Sequence, residues 1–121
     1  MTDDQKILGQ TGETAATSFL KSRGYTILET NFRTKQSEID IIAKKENTIC
    51  FIEVKTRKSL TKGLPRESVT HAKQQKILLG ATAYLQKNNL FDSRIRFDVI
   101  EVYKKDQSFE FHFIKHAFQA G

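Results

Sequence analysis

The segment SEIDIIAKKENTICFIEVKTR, residues 37–57, contains two apolar runs separated by a short polar stretch. Both runs are rich in β-branched residues, and a polar stretch between such runs predicts a two-stranded hairpin. The second run, ICFIEV, is apolar on both faces, which predicts a strand that is covered on both sides. Residues two apart in a strand share a face. Ile39 and Ile41 are therefore predicted to share one face of the first strand, and Glu38 and Asp40 the other.

Charged residues lie inside both predicted strands. If the turn centres on residues 46–47, Asp40 lies opposite Glu53 and Glu38 lies opposite Lys55. Directly opposed side chains have Cβ atoms ~5 Å apart. The hairpin is thus predicted to place two carboxylates side by side, with a lysine diagonally adjacent.

The chemistry of such a cluster favours a divalent cation. Two opposed carboxylates repel each other, and a hard ion such as Mg²⁺ turns that repulsion into attraction by taking both as ligands. The lysine could orient a water molecule or stabilise negative charge on a phosphate oxygen. The alternative is a solvent-facing strand that carries an ordinary Glu–Lys pair.

The rest of the chain predicts a mixed α/β fold. Hydrophobic spacing, strand propensity and stop signals predict helices at 4–23 and 67–88 and strands at 25–33, 38–44, 48–56, 94–103 and 108–118. The order α-β-β-β-α-β-β predicts a mixed sheet flanked by helices. No Pro/Gly/Ser-rich linker interrupts the sequence, so one domain is predicted for residues 1–121.

Three helical residues could join the hairpin cluster. Glu13 precedes Ala16, Thr17 and Leu20 at the spacing of an inward-facing stripe. Its alternative is a carboxylate at the edge of that stripe. Lys73 and Gln74 extend the apolar stripe of the second helix toward the same end of the sheet, and the alternative for Lys73 is a snorkelling side chain.

Composition favours an anionic partner. The chain has a net charge of +6 and a pI near 9.5, which is compatible with DNA binding. A basic cluster after the second hairpin strand, next to the charged residues of the hairpin, could hold phosphates without reading bases; without that neighbourhood, a solvated charge run is the preferred interpretation. Its members are Arg57, Lys58, Lys62 and Arg66.

Localisation is predicted to be cytoplasmic, with no membrane association. No apolar run approaches the ~20 residues that span a bilayer, and the first residues lack the pattern of an export signal. The single cysteine, Cys50, lies in an apolar run and is predicted to be a buried hydrophobe.

Several segments resemble one family of small bacterial proteins. GETAATSFL, SEIDIIA, FIEVKTR, AKQQKILLGATAYL and RFDVI are similar to the corresponding blocks of the YraN-like family, a largely uncharacterised group. The resemblance spans about residues 12–102. Ser37 departs from it, because the family usually has glycine there.

That family in turn resembles the restriction-endonuclease-like nucleases, particularly the archaeal Holliday junction resolvases. The resemblance implies that Asp40 and Glu53 hold Mg²⁺ or Mn²⁺ and that Lys55 assists a water molecule. It also implies that Glu13 completes the acidic site. Gln74 matches a helical glutamine of some of these nucleases. A homodimer, which would place two sites on one branched substrate, is implied as well.

The leading hypothesis is therefore a metal-dependent endonuclease acting on branched or single-stranded DNA in repair or recombination. The main alternative is a non-catalytic nucleic-acid-binding module. A third possibility is the same chemistry on RNA, although the sequence has no aromatic RNA-binding motif.

Overall fold

The computed structural model describes residues 3–57 and 69–119, with side chains from Thr11 onward. It contains two helices and five strands in the predicted order. They are α1 (Asp3–Ser22), β1 (Thr26–Arg33), β2 (Glu38–Lys45), β3 (Thr48–Arg57), α2 (His71–Lys87), β4 (Arg94–Lys105) and β5 (Ser108–Phe118).

The strands form a mixed sheet in the order β1-β2-β3-β4-β5. Strand β3 pairs in parallel with β4, and every other neighbouring pair is antiparallel. A parallel pair needs a crossover connection, and the segment that contains α2 provides it. The predicted mixed α/β fold with flanking helices is confirmed.

The two helices pack on opposite faces of the sheet and define two cores. The α1-face core contains Ala16, Leu20, Ile41, Ala43, Cys50, Ile52, Ile100 and Val102. The α2-face core contains Phe32, Ile39, Ile42, Ile49, Phe51, Ile77, Tyr84, Leu85, Phe97 and Val99. Strand β3 contributes to both cores, so the prediction that it is covered on both sides is confirmed. Cys50 is fully buried, and burial raises the pKa of its thiol to about 11.

The second helix begins later than predicted. Thr70 has an extended backbone, with φ −63° and ψ 157°, and its hydroxyl accepts a hydrogen bond from the Lys73 amide at 3.2 Å. Such a residue is an N-cap. Residues 69 and 70, which the prediction of a helix from about residue 67 included, are therefore not helical, and the first residue of α2 is His71.

The hairpin register is confirmed only in part. Strands β2 and β3 pair from Lys45–Thr48 to Ile41–Ile52, as predicted, and the described pairing ends there. The direct opposition of Asp40 with Glu53 is therefore not formed, and neither is that of Glu38 with Lys55. Beyond this point β1 is the one described strand that pairs with β2, and there Glu38 forms an ion pair with Arg33 at 3.3 Å.

The side-chain alternation of β2 is also interrupted at Asp40. Ile39 lies in the α2-face core and Ile41 in the α1-face core, so the prediction that they share a face is wrong. The physical reason is local. Asn31, which lies between the partners of these two residues in β1, has a left-handed backbone with φ 52°. The Asp40 carboxylate accepts a hydrogen bond from the Val54 amide, which takes the place of the next ladder bond.

Close packing at Gly12 brings α1 against the end of β3. A Cβ added to Gly12 would lie 2.2 Å from the Thr56 Oγ1 atom and 3.0 Å from its Cγ2 atom. Only a residue without a side chain permits this approach. The neighbouring Glu13 is thereby held near the charged end of the sheet.

We expect Gly12→Ala to destabilise the fold. Alanine is the better helix former by about 1 kcal/mol, but overpacking against Thr56 costs about 1–3 kcal/mol. The free energy of unfolding, measured with urea, should therefore fall by about 1–2 kcal/mol. The loss should shrink in a Thr56→Ala background, because that substitution removes the two closest atoms. An unchanged or higher stability of the single variant would contradict the close contact.

Candidate active site

Asp40 lies where β2 leaves β3. Its Oδ2 atom accepts a hydrogen bond from the Val54 amide at 2.8 Å. Strand β3 thus keeps a hydrogen-bond partner on this side after its pairing with β2 has ended. The bond fixes the carboxylate in the gap between the two strands, at the end of the sheet that carries the other predicted site residues.

The surroundings of Asp40 disfavour its negative charge. Burial raises its pKa most, repulsion from Glu53 and Glu13 adds to this, and the pKa reaches about 7. The Val54 hydrogen bond and the positive charge of Lys73 oppose the rise but do not cancel it. A carboxylate in this state gains stability from an additional cation.

Glu53 is buried on the α2 side of the same sheet end. It lies in β3 two residues after the core residue Phe51, is 7% exposed, and its Oε1 atom forms an ion pair with the ammonium group of Lys73. Burial alone would lower the pKa of Lys73, but the hydrogen bond to Glu53 and the charges of Glu53 and Asp40 raise it above the usual lysine value. The side chain of Lys55 is close enough to interact with Lys73.

Glu13 approaches from the α1 side and is half-buried. Burial raises its pKa most, followed by repulsion from Glu38, while a hydrogen bond from the Asn31 side chain lowers it. Glu13 borders a cleft of about 210 Å³ between α1, β1 and β2. The cleft is lined by Glu13, Thr14, Thr17, Thr30, Asn31, Asp40 and Ile41.

The predicted cluster is therefore brought together from four elements. Asp40 interacts electrostatically with Glu13, Glu53 and Lys73, and Lys55 lies beside Lys73. Among the side chains that the structure describes, those of residues 11–57 and 69–119, however, no three of His, Cys, Asp or Glu form a group that could hold a metal ion.

The donor set fits Mg²⁺ or Mn²⁺ in its chemistry. Mg²⁺ is usually bound through one or two carboxylates and keeps water or substrate phosphate at its other positions. Asp40 and Glu53 would supply those carboxylates, and the repulsion between them would be relieved by the ion.

Two of the other predicted residues have partners outside the Asp40 cluster, and three lie outside the described residues. Arg57 lies at the end of β3, with its Nη2 atom 3.9 Å from the buried carboxylate of Glu101. The side-chain amide of Gln74 donates to the Val69 carbonyl at 2.8 Å, a bond that supports the start of α2. Lys58, Lys62 and Arg66 lie outside the described residues.

Sequence reasoning missed Asn31. This asparagine has a left-handed backbone inside a strand and lines the same cleft as Glu13. Asparagine is disfavoured in strands and is one of the few residues that tolerate φ above zero. An asparagine inside the predicted strand 25–33 was the available signal.

The sequence matches the model of the uncharacterised protein family UPF0102 over residues 12–102. The chain belongs to this family. A UPF0102 protein of Desulforapulum autotrophicum is 47% identical over 98% of both chains. A UPF0102 protein of Acetivibrio thermocellus is 48% identical over 96% of this chain and 94% of its own. The YraN-like resemblance is confirmed at the level of this family.

A solved structure to which this chain has a lower similarity is the crystal structure of SSO0001. It is 21% identical, covers 97% of this chain and 55% of its own chain, and has a TM-score of 0.45. That score is too low to support any functional comparison. In the described part of this UPF0102 protein, no helix is long and apolar enough to cross a membrane.

We expect Asp40→Asn to make stability less dependent on pH. The pKa of Asp40 is about 7 in the fold against 3.8 for an ordinary aspartate. The folded state therefore binds this proton more tightly, and its stability falls as pH rises through that window. Asparagine cannot ionise and still accepts the Val54 hydrogen bond. Above pH 7 the free energy of unfolding of the variant should exceed that of the parent by a few kcal/mol, because each unit of pKa difference contributes about 1.4 kcal/mol.

Below about pH 3 this gain should become small, because Asp40 is then mostly protonated in both the folded and the unfolded parent. Urea unfolding at pH 3, 6 and 8 measures the difference. Asp92→Asn, which removes an exposed carboxylate, is the matched control. Equal gains for the two variants at pH 8 would show that the environment of Asp40 is not the cause.

Proposed function

We propose that this protein is a divalent-metal-dependent endonuclease that hydrolyses phosphodiester bonds of branched or single-stranded DNA. The observation that carries the proposal is the electrostatic repulsion between Asp40 and Glu53. Two lysines, Lys55 and Lys73, lie beside these carboxylates. Buried carboxylates that repel each other raise the free energy of the fold. A cation and an anionic phosphate would together explain why both signs of charge are concentrated at this end of the sheet.

Each side chain has a distinct part in the proposed reaction. Asp40 and Glu53 would hold a divalent metal ion, and the bound ion would supply Lewis acidity and lower the pKa of water. Lys55 stabilises the negative charge on the phosphate oxygens in the transition state. Glu13, whose pKa is raised by burial, is suited to accept a proton from the attacking water.

Charge supports DNA as the substrate. The net charge is +6, and Arg57 lies at the end of the same strand as Glu53 and Lys55. Lysine and arginine contacts to phosphates hold a duplex without reading its sequence. A homodimer with two such sites would suit a branched substrate. We place the protein in the reducing cytoplasm, because its single cysteine is buried and it needs no intramolecular disulfide.

One observation favours a second candidate, a non-catalytic nucleic-acid-binding module. The ammonium group of Lys73 already neutralises Glu53. A chain that never binds a metal could use this ion pair to keep the buried carboxylate stable. The two candidates differ in whether a divalent metal changes what the protein does to nucleic acid.

We expect Glu53→Gln to abolish cleavage while DNA binding persists. Glutamine keeps the size of the side chain but removes a metal ligand and a negative charge. Cleavage of linear, flapped and four-way DNA with Mg²⁺ or Mn²⁺ should fall by at least about 100-fold, the scale of a step that relies on metal activation. Metal-free DNA binding, measured by fluorescence anisotropy, should be equal or tighter.

Lys55→Ala is the companion variant. This variant should also lose cleavage. It should retain the parent's affinity for Mn²⁺, because the lysine that it lacks is not a metal ligand. The nuclease assignment fails if both variants cut at the parent rate. It also fails if the parent cuts neither DNA nor RNA with any divalent metal, and a parent that binds DNA without cutting it supports the binding module.

We expect Lys73→Met to strengthen Mn²⁺ binding. The ammonium group of Lys73 competes with the metal for the Glu53 carboxylate. Its removal should raise the Mn²⁺ affinity several-fold in calorimetry, and should cost the metal-free fold about 1–2 kcal/mol by leaving Glu53 less well neutralised. The neighbouring exposed Lys76→Met is the control. A weaker Mn²⁺ affinity in the Lys73 variant than in the control would contradict the competition.

A further inference from the structure

Glu101 is a buried carboxylate that has no part in the proposed reaction. It lies in β4, is 1% exposed, and follows Val99 of the α2-face core by two residues. Residues two apart in a strand share a face, so Glu101 lies on the same face of the sheet as Glu53, the registered partner of Val99. Burying a carboxylate is costly unless cations lie close enough to compensate its charge. The cations around Glu101 are therefore the groups that make its burial possible.

The strand register places Glu101 in the middle of a row of polar side chains. Its partner in β3 is Lys55, and its partner in β5 is His112. Neighbouring strands lie about 4.8 Å apart, so the side chains of these partners leave the backbone side by side on one face. Because Lys55 follows Glu53 by two residues in β3, the Lys55–Glu101–His112 row begins at the candidate site.

Two further contacts involve the carboxylate oxygens of Glu101. The Nη2 atom of Arg57 lies 3.9 Å from Oε2, and the Nδ1 atom of His112 lies 4.0 Å from Oε1. The side chains of Arg57 and His112 are 27% and 30% exposed, whereas that of Glu101 is buried. The negative charge thus lies below side chains that reach the surface, and it holds the guanidinium group of Arg57 near the row.

The outer end of the row is also held in place. The Nε2 atom of His112 lies 3.0 Å from Oε2 of Glu110, and Oε1 of Glu110 forms an ion pair with Lys105 at 2.7 Å. The His112 ring lies 5.0 Å from the Tyr103 ring, centroid to centroid. His112 is therefore fixed by contacts at both ring nitrogens, and it limits the movement of Glu101 on the β5 side.

The spacing of Lys55 and Arg57 suits a nucleic-acid strand. Residues two apart in a β-strand are separated by about 6.6 Å and share a face. Neighbouring phosphates of a single strand are separated by a similar distance, so two such cations can each contact one phosphate. Contacts of this kind fix the register of the strand without reading its bases.

We propose that Glu101 is a positioning residue that aligns Lys55 and Arg57 with two neighbouring phosphates of one DNA strand. Lys55 contacts the phosphate at the bond that is cut, and Arg57 contacts the next phosphate. Glu101 touches neither metal nor DNA and acts through these two side chains. This inference rests on the proposed function, but only on DNA binding, which the nuclease and the non-catalytic module share.

The direction of one affinity change tests this role. Glu101→Gln keeps the size of the side chain and removes one negative charge. Charge alone would make DNA binding tighter, because the protein becomes more positive. Loss of positioning makes binding weaker instead, because the side chains of Lys55 and Arg57 must then be ordered when DNA binds.

Asp98→Asn is the matched control. Asp98 is also a buried carboxylate of β4 that is paired with an arginine, since the Nε atom of Arg96 lies 2.8 Å from its Oδ1 atom. Its partner in β3 is Ile52 of the α1-face core, which places it on the other face of the sheet. The two variants thus make the same change of charge in one strand, on opposite faces.

The first measurement is the affinity for fluorescein-labelled flapped DNA by anisotropy, in EDTA and at several salt concentrations. We expect Glu101→Gln to weaken binding about 10-fold, the loss of one charge-assisted hydrogen bond. The slope of log affinity against log salt should fall by about one phosphate contact. Asp98→Asn should bind as tightly as the parent or more tightly, with an unchanged slope. In an Arg57→Gln background, the loss caused by Glu101→Gln should shrink.

The second measurement is the order of the Arg57 side chain without DNA, from ¹⁵N relaxation of its Nε–H group. The group should be ordered in the parent and in Asp98→Asn, and mobile in Glu101→Gln. Parent-like affinity in Glu101→Gln overturns the inference, as does a full loss from Glu101→Gln in the Arg57→Gln background. A mobile Arg57 in the parent also overturns it, and that result does not require any variant to fold.

The failure of the proposed function would look different. A parent that binds DNA but cuts none with any divalent metal removes the nuclease, and the contacts of Lys55 and Arg57 then belong to a binding module. A parent that cuts DNA while Glu101→Gln binds as tightly as the parent leaves the nuclease in place and overturns this inference alone. A parent that binds no DNA overturns both.

Discussion

The hydrogen bond from the Val54 amide to the Asp40 carboxylate is the contact on which the candidate site depends. It forms where β2 stops pairing with β3, after Ile41 and Ile52. A strand that loses its neighbour leaves amide groups without partners, and a buried unpaired amide costs about 1–3 kcal/mol. Asp40 removes that cost at Val54. It also places a carboxylate near Glu13 of α1 and near Glu53, which is paired with Lys73 of α2.

The electrostatics of the site follow from this placement. Asp40 is near enough to Glu13 on one side and Glu53 on the other for both to raise its pKa. The nearby Lys73 offsets part of the repulsion through its ion pair with Glu53. An arrangement of this kind contributes little to the stability of the fold, since hydrophobic replacements of buried ion pairs are often as stable or more so, and a use in ligand binding would explain it. A metal ion and a phosphate group would provide that use.

Much of this architecture was predictable from local sequence. The strand order, the flanking helices and the register from Lys45–Thr48 to Ile41–Ile52 follow from period-two and helical patterns that depend on neighbouring residues. The convergence of Asp40 and Glu53 on one end of the sheet followed from the same register, although the direct pairing did not form. Glu13 was found because Ala16 and Leu20 fix the inward face of α1.

The features that sequence reasoning missed are those set by tertiary structure. The pattern of β2 alone gives no sign that Ile39 and Ile41 pack in different cores, because the change requires the left-handed backbone of Asn31 in the neighbouring strand. The ion pair between Lys73 and Glu53 depends on how α2 lies across the sheet, which periodicity does not specify. Thr70 was overlooked as a cap because the preceding residues also suited a helix.

The most direct test of the account is the anomalous difference density of Mn²⁺ in crystals of the protein grown with that ion. The account predicts one strong peak per chain, about 2.1 Å from a carboxylate oxygen of Asp40 and of Glu53, with the ammonium group of Lys73 displaced from Glu53. A map without a peak at these carboxylates, with Lys73 still paired to Glu53 at saturating Mn²⁺, would contradict it.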